Sequence, residues 1–173
     1  IGIREQRPLA VFEIGQWYTV NVDGRIFKIW DGTEPEGLPV VEGLKFSDLG
    51  ISGTSHSIPF NTVMNVLTSE KISDSVIPNE AIQRVLVDRE LGLTLLVAPN
   101  EKMHNIKEIN LGYEDYPHKY GRLRDLLTYL EHHQDGVMIH SVNLSNPDRI
   151  VIAPIHAESV DENDVNEDDK EEV

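Results

Sequence analysis

The stretch WYTVNVDGRIFKIW, residues 17–30, decides how this chain is read. Side chains alternate with period two along a strand. Trp17, Thr19 and Asn21 therefore fall on one face, and Tyr18, Val20 and Val22 on the other. Asp23-Gly24 interrupts the alternation. That pair is a strong two-residue hairpin signal, because a type I′ turn needs φ > 0 at both central residues. Residues 25–30 read as the returning strand. An early hairpin commits the chain to a sheet, and the rest of the sequence must supply further strands and something to cover them.

Upstream, LAVFEI at residues 9–14 reads as a strand ended by Gly15. Downstream, DGTEPEGLPVVEG at residues 31–43 is rich in Gly and Pro and reads as a loop. Residues 55–58 lead into PFNTVMNVLTSEK, where Phe60, Val63, Met64 and Leu67 recur at helical spacing. This predicts a short amphipathic helix, broken off by Ile77-Pro78. Residues 82–88 and 93–98 read as a second hairpin that turns at residues 90–92, and residues 107–111 as a further short strand. YPHKYGRLRDLLTYLEHHQDG is the longest helix. Tyr120, Leu123, Leu126, Leu127 and Leu130 form its apolar stripe, and Gly136 is placed to end it as a C′ residue. Residues 137–144 form a strand, 145–148 a turn containing Pro147, and 149–155 the last strand. No internal repeat is visible. Runs of strands with few helices give the fold class α+β: a mostly antiparallel sheet with two amphipathic helices.

The chain has 173 residues, enough for one domain with a sizeable core. Its formal charge is −15, distributed unevenly. Residues 157–173 hold nine acids and one Lys, which gives −8 there and leaves −7 for the rest. The body lacks the basic patch that nucleic-acid binding needs. The acidic segment, with few apolar residues, reads as a disordered tail. Absence of Cys excludes a disulfide scaffold and a thiolate zinc site. No run approaches the roughly 18 apolar residues of a membrane span, and no signal peptide is visible. The chain opens on Ile1 without Met, inside an apparent strand, and so reads as a piece of a longer protein.

No stretch carries a convincing catalytic constellation. Asp31-Gly32-Thr33 has the wrong order for an aspartic protease and no second copy. GTSHS, residues 53–57, holds a Ser/His pair, but neighbours in a loop rarely reach nucleophile–base geometry. It reads as the loop before a helix. His132 and His133 point about 100° apart on a helix and so do not share an ion readily; near a C-terminus the macrodipole favours them anyway. His118 has Glu114 and Asp115 nearby, which read as helix N-terminal acids. DENDVNEDD lacks the Gly that a calcium loop needs at its sixth position. No Gly-rich phosphate loop is present, and no cofactor is expected. A binding module is the better class.

The last strand directs attention to itself. A strand followed only by a solvated tail lies readily at a sheet edge, where unpaired N–H and C=O groups are on offer. Pro147 and Pro154 bracket it and Arg149 begins it. Ile150, Val151 and Ile152 also alternate as any half-buried strand would.

Taken together, the landmarks resemble the bacterial division proteins FtsQ and DivIB. IREQRPLAVF, residues 3–12, resembles the last strand of a POTRA domain as it leaves into that family's β domain: Glu5, Gln6, Arg7 and Pro8 match its acidic, variable, basic and Pro positions. WYTVNVDGRIF is similar to its next hairpin, with Asp23-Gly24 and then Ile26-Phe27. GLPVVEG, INLGYEDYPHKYGRL and VNLSNPDRIVIAP match further marks in the family's order, up to Pro154. Asn143 departs from the Asp common there.

The resemblance implies a non-enzymatic role. It divides the chain into residues 1–8, the end of a POTRA domain; 9–156, the β domain; and 157–173, the acidic tail. It implies one membrane span upstream and a β domain on the periplasmic or extracytoplasmic side of the inner membrane, at the division site. It implies FtsB-like and FtsL-like divisome partners and, through them, the septal peptidoglycan synthases. The family's docking edge is its final strand, here Arg149, Ile150, Val151 and Ile152, with Asn146 and Asp148 in the preceding turn. Arg89 lies near a basic residue that faces an acidic partner side chain. Two other classes stand beside this reading: a POTRA-associated module of an outer-membrane assembly or secretion protein, and a small hydrolase using the Ser/His loop.

Overall fold

The structure, a computed structural model, describes residues 6–30, 37–50, 56–68, 76–99, 103–133 and 138–154. Its centre is a nine-stranded sheet in the order β3-β2-β1-β4-β5-β6-β7-β8-β9. The strands are β1 (Pro8–Ile14), β2 (Gln16–Asn21), β3 (Ile26–Ile29), β4 (Val40–Glu42), β5 (Ile82–Asp88), β6 (Gly92–Val97), β7 (Glu108–Gly112), β8 (Ile139–Asn143) and β9 (Val151–Pro154). Two helices accompany them, α1 (Ile58–Thr68) and α2 (Tyr116–His132). The α+β class holds. Five pairings are antiparallel and three are parallel, so the sheet is mixed.

The parallel pairings explain the helices. Parallel neighbours need a long crossover; α1 lies in the one between β4 and β5, and α2 in the one between β7 and β8. Both pack on one face. Phe12, Val41, Val85, Leu95, Ile109 and Val142 form a row across that face by register, and they share one buried cluster with Phe60, Val63 and Leu67 of α1 and Leu123 and Leu127 of α2. Phe12 and Phe60 meet edge to face, 5.8 Å between centroids. The opposite face mixes polar and apolar side chains. Its register runs through Thr94, Asn110, Asn143 and Val151, and Thr94 Oγ1 donates to Asn110 Oδ1 at 2.6 Å.

Three local readings change. Residues 31–43 were expected to be a loop, yet Val40–Glu42 forms β4, which joins two halves of the sheet. Three residues of Gly/Pro-rich context give no periodic signal; parallel pairing to β1 and β5 makes the strand. The hairpin at Asp23-Gly24 is not a two-residue type I′ turn. Gly24 has φ of 76°, but Asp23 is not at positive φ. Gly24 N–H donates to Asn21 O and Asn21 N–H to Arg25 O, the bonding of a three-residue loop with a left-handed Gly at its end. Asn21 Oδ1 accepts from the Asp23 and Arg25 amides and holds the loop. Last, β9 begins at Val151, two residues later than expected, and is described as far as Pro154. Gly136, Asp31-Gly32-Thr33, Ile155 and residues 157–173 lie outside the described residues, as do residues 1–5.

Ser57 Oγ accepts from Phe60 N–H at 3.3 Å at the start of α1, as an N-cap does. Pro117 sits in the first turn of α2, where a missing N–H costs nothing. Among the described residues, no helix is long and apolar enough to cross a membrane.

Candidate functional site: the free edge of the sheet

β9 pairs with β8 alone and ends the sheet. Asn143, Val142 and Ser141 face Val151, Ile152 and Ala153, with an irregularity between Ile139 and Ser141. All four β9 residues are exposed, Val151 at 50% and Ile152 at 41%. Alternation places Ile152 on the helix side, opposite buried Val142, and Val151 on the other face. Among the described residues, the far side of β9 leaves backbone N–H and C=O groups without a ladder partner.

The approach to this edge is fixed. Arg122 Nη1, on α2, donates to Asn146 O at 2.7 Å. Asn146 Oδ1 accepts from Asp148 N–H at 2.8 Å. Asn143 Oδ1 accepts from both the amide and the hydroxyl of Ser145. Ile150 is half-buried and packs on the core. Arg149 and Ile150 thus lead into the strand, Asn146 and Asp148 shape its turn, and Val151 and Ile152 form the open edge. Asp148 and Arg149 are exposed.

The sheet has a second edge, and it differs. β3 is also exposed, with Ile26, Phe27 and Ile29 at 38–53%. Lys28 sits in its middle, and its pairing with β2 is irregular between Thr19 and Val20. A central Lys and a bulge are the usual protections of an edge. In β9, Val151, Ile152 and Ala153 carry no charge, and only Pro154 closes the end. Sequence reading missed the β3 edge as a comparison, although the exposed apolar run Ile26-Phe27 was on view.

Arg89 stands elsewhere, on the β5–β6 turn. Three strand spacings, about 15 Å, separate β6 from β9. Its Nη2 lies 2.7 Å from Asp48 Oδ2, and its side chain is 44% exposed while that of Asp48 is 4% exposed. Burial alone would raise the Asp48 pKa. The Lys45 amide, the Ser57 hydroxyl and the Arg89 guanidinium outweigh it and hold the carboxyl below its ordinary value. Arg89 lines an open groove of about 390 Å³ with Ile58, Pro59, Thr62, Tyr113 and Glu114. Asp48 was not foreseen as its partner, because nothing local links positions 41 residues apart.

Arg89 and the β9 turn nonetheless share one end of the sheet. Gly92 and Gly112 approach so closely that a Cβ on Gly92 would stand 2.3 Å from the Gly112 carbonyl carbon. A Cβ on Gly112 would meet Ser145 Cβ at 3.0 Å. Tyr113 Oη donates to Asp88 O, and Lys119 Nζ to Tyr113 O at 2.6 Å. These contacts tie the β5–β6, β7–α2 and β8–β9 connections together. Burial pushes the Tyr116 phenol up to about 12, so its hydroxyl stays a neutral donor to Gly112 O.

The histidines weighed above find local partners. His132 Nδ1 is 2.7 Å from Thr128 O, and His133 Nδ1 is 2.9 Å from Tyr129 O. His118 pairs with exposed Asp115 at 3.3 Å. No group of three metal-capable side chains occurs among the described residues.

No family model matches the chain. It is similar to the cell division protein FtsQ of Geotalea daltonii, with 22% identity over 153 residues. The match covers 88% of this chain and 53% of that protein, so the chain spans about half the length of the curated relative it matches. The motif order and this similarity to a cell division protein point the same way.

Proposed function

We propose that this chain is the β domain of an FtsQ/DivIB-like scaffold of the cell-division machinery, and that it binds an FtsB-like partner, together with FtsL, by strand addition to β9. The observation that carries the proposal is the unprotected β9 edge beside a protected β3 edge. Strand addition takes its affinity from main-chain hydrogen bonds and its specificity from alternating side chains. An added strand meets Val151 on one face and Ile152 on the other. Asn146, Asp148 and Arg149 contact its flank. Arg89 is too far from β9 for that strand, and it serves a second part of the partner that crosses the same sheet end to the groove beside α1. An acidic residue there meets the exposed guanidinium.

In this reading residues 1–8 end a POTRA domain, residues 9–156 form the β domain, and residues 157–173 form an acidic tail. The whole protein spans the inner membrane once, upstream, and presents this domain on the extracytoplasmic side at the septum. Its role is scaffolding, with the septal peptidoglycan synthases reached through FtsB and FtsL.

The test is a titration of the chain with the extracytoplasmic segment of an FtsB–FtsL pair from the same source, read on backbone amides by NMR. Shifts centred on residues 149–154 are expected. Val151→Pro should abolish binding while the circular dichroism spectrum stays native, because proline breaks the short edge strand at a half-exposed residue outside the core. Unchanged affinity in that folded variant refutes strand addition.

A further inference from the structure

We propose that Lys119 is a positioning residue of the candidate site: through Tyr113, its buried ammonium fixes the β5–β6 turn that presents Arg89. Lys119 thereby serves the proposed function, and its role there rests on the reading that Arg89 meets an acidic group of the partner.

Lys119 stands where a lysine is disfavoured twice. It is 5% exposed, and burial holds its ammonium below the ordinary pKa although Asp115 and Glu114 pull the other way. It also lies near the N-terminus of α2, where the macrodipole opposes a cation. Among the described ion pairs it meets no carboxylate. Its Nζ instead donates to Tyr113 O at 2.6 Å and sits 5.6 Å from the centre of the Tyr116 ring, within cation–π range. A charge-assisted bond in a buried place is strong, and losing it leaves a carbonyl unsatisfied.

That carbonyl belongs to a strained connection. Between β7 and α2, Gly112, Glu114 and Asp115 have φ of 66°, 61° and 50°. Two successive residues with side chains stay in the left-handed region only where their surroundings enforce it. Tyr116 Oη donates to Gly112 O and Lys119 Nζ to Tyr113 O, so two side chains from the start of α2 hold the connection. Tyr113, so held, reaches across the sheet end, and its Oη donates to Asp88 O at 2.7 Å. Asp88 Oδ1 in turn accepts the Glu90 and Leu91 amides, both at 2.7 Å. Arg89 lies between these anchored residues, and it lines the same groove as Tyr113. Hydrogen bonds in series thus run from Lys119 to the turn that carries the guanidinium. Without the ammonium the left-handed connection relaxes, Tyr113 withdraws from Asp88, and the Arg89 turn loses a support.

The free chain carries the first measurement: exchange of the Glu90 and Leu91 amides with water, read by NMR. Tyr113→Phe removes the bond to Asp88 O and should speed both amides roughly five-fold, the effect of one hydrogen bond. Lys119→Met keeps the bulk without the ammonium and should do the same. The double variant should match either single change, because both cut one relay, whereas independent effects would multiply to about 25-fold. The Asp23 and Arg25 amides, held by Asn21 Oδ1 near the other edge of the sheet, should not change. Multiplying effects, or equal acceleration of the Asn21-held amides, overturn the positioning role. Unchanged rates in Tyr113→Phe overturn it even where Lys119→Met does not fold. A titration with the FtsB–FtsL segment follows. Lys119→Met should weaken binding as Arg89→Ala does, and the two together should weaken it no further. Full affinity in Lys119→Met where Arg89→Ala weakens binding overturns the positioning of Arg89. Full affinity in Arg89→Ala overturns the partner reading of Arg89 while the exchange result stands.

Discussion

Gly92→Ala tests the packing that gathers the candidate site. Gly92 has φ of 90°, where an L side chain is strained, and its Cβ would stand 2.3 Å from Gly112 C and 2.6 Å from Gly112 Cα and O. Those atoms are backbone in the adjacent strand, so they cannot swing aside. A positive φ costs a non-Gly residue roughly 1–2 kcal/mol, and overpacking of this kind about 1–3 kcal/mol more. The expected loss is about 3–4 kcal/mol, from a total of about 5–15 kcal/mol for an ordinary domain. For a chain of this size that lowers Tm by about 10 °C. Gly15→Ala is the control: φ is 74°, but nothing lies within 4 Å of the added Cβ, so only the backbone term remains, about 4 °C. Differential scanning calorimetry of both variants decides. Equal losses would refute the close approach of β6 and β7 at this end. They would also loosen the argument that the Arg89 turn and the β9 turn are held as one unit.

Asp48→Asn should cost about 1–3 kcal/mol at neutral pH by weakening a buried acceptor of the Lys45 amide and the Arg89 guanidinium. The Asp48 pKa is depressed in the folded chain, so its contribution is present above its unfolded pKa of about 4 and is lost as pH falls through the folded value. Urea melts from pH 7 to 3 should therefore show the variant and the parent converging in acid; a constant gap would refute the linkage. Thr19→Val should stabilise by about 1 kcal/mol, because Thr19 is 3% exposed and its Oγ1 has no hydrogen-bond partner among the described residues. A lower urea midpoint for the variant would mean the hydroxyl is satisfied. Lys28→Val should leave stability within about 0.5 kcal/mol and make the chain aggregate through β3, seen as light scattering at concentrations where the parent is clear. A soluble variant would show that Lys28 is not what protects that edge.

The parts of the fold legible in the sequence are those with a local cause. Phe60, Val63, Met64 and Leu67 announced α1 by spacing, and Leu123 and Leu127 announced the buried stripe of α2. The edge position of β9 could be argued because the residues printed after it are strongly acidic and hold few apolar side chains. β4 was invisible: Val40-Val41 is too short to show a period, and its two parallel partners are far away in sequence. The turn at Asp23-Gly24 was half read. Gly24 takes the positive φ, but Asn21 accepts the Asp23 and Arg25 amides and so enforces a longer loop. At the site, Arg149 and Ile150 were assigned to the strand, whereas the core contact of Ile150 and the Arg122–Asn146 bond delay the ladder until Val151. The Arg89–Asp48 pair is purely tertiary, and no spacing rule reaches it.

Under the proposed function, the two edges together explain why this sheet would serve as a docking platform without polymerising. An open sheet with complementary free edges would grow without limit, β9 of one copy adding to β3 of the next. Three features of β3 oppose that: a central Lys, an irregular ladder against β2, and Arg25 ahead of it. A strand arriving at β3 must desolvate Lys28 or tolerate it beside its own side chains. A strand arriving at β9 meets Val151, Ile152 and Ala153, which impose no such cost. Pro154 then cuts the ladder after a few residues, because it has no N–H to offer. The open edge is consequently short. Main-chain bonds over so few residues cannot by themselves hold a partner tightly, and specific binding requires contacts beyond the strand. The Arg122-anchored turn and the Arg89 groove stand at the same end of the sheet, where a partner strand running along β9 would enter or leave. Affinity in such an arrangement comes from the combination, so loss of the edge or of the groove alone should weaken binding far more than either small area suggests.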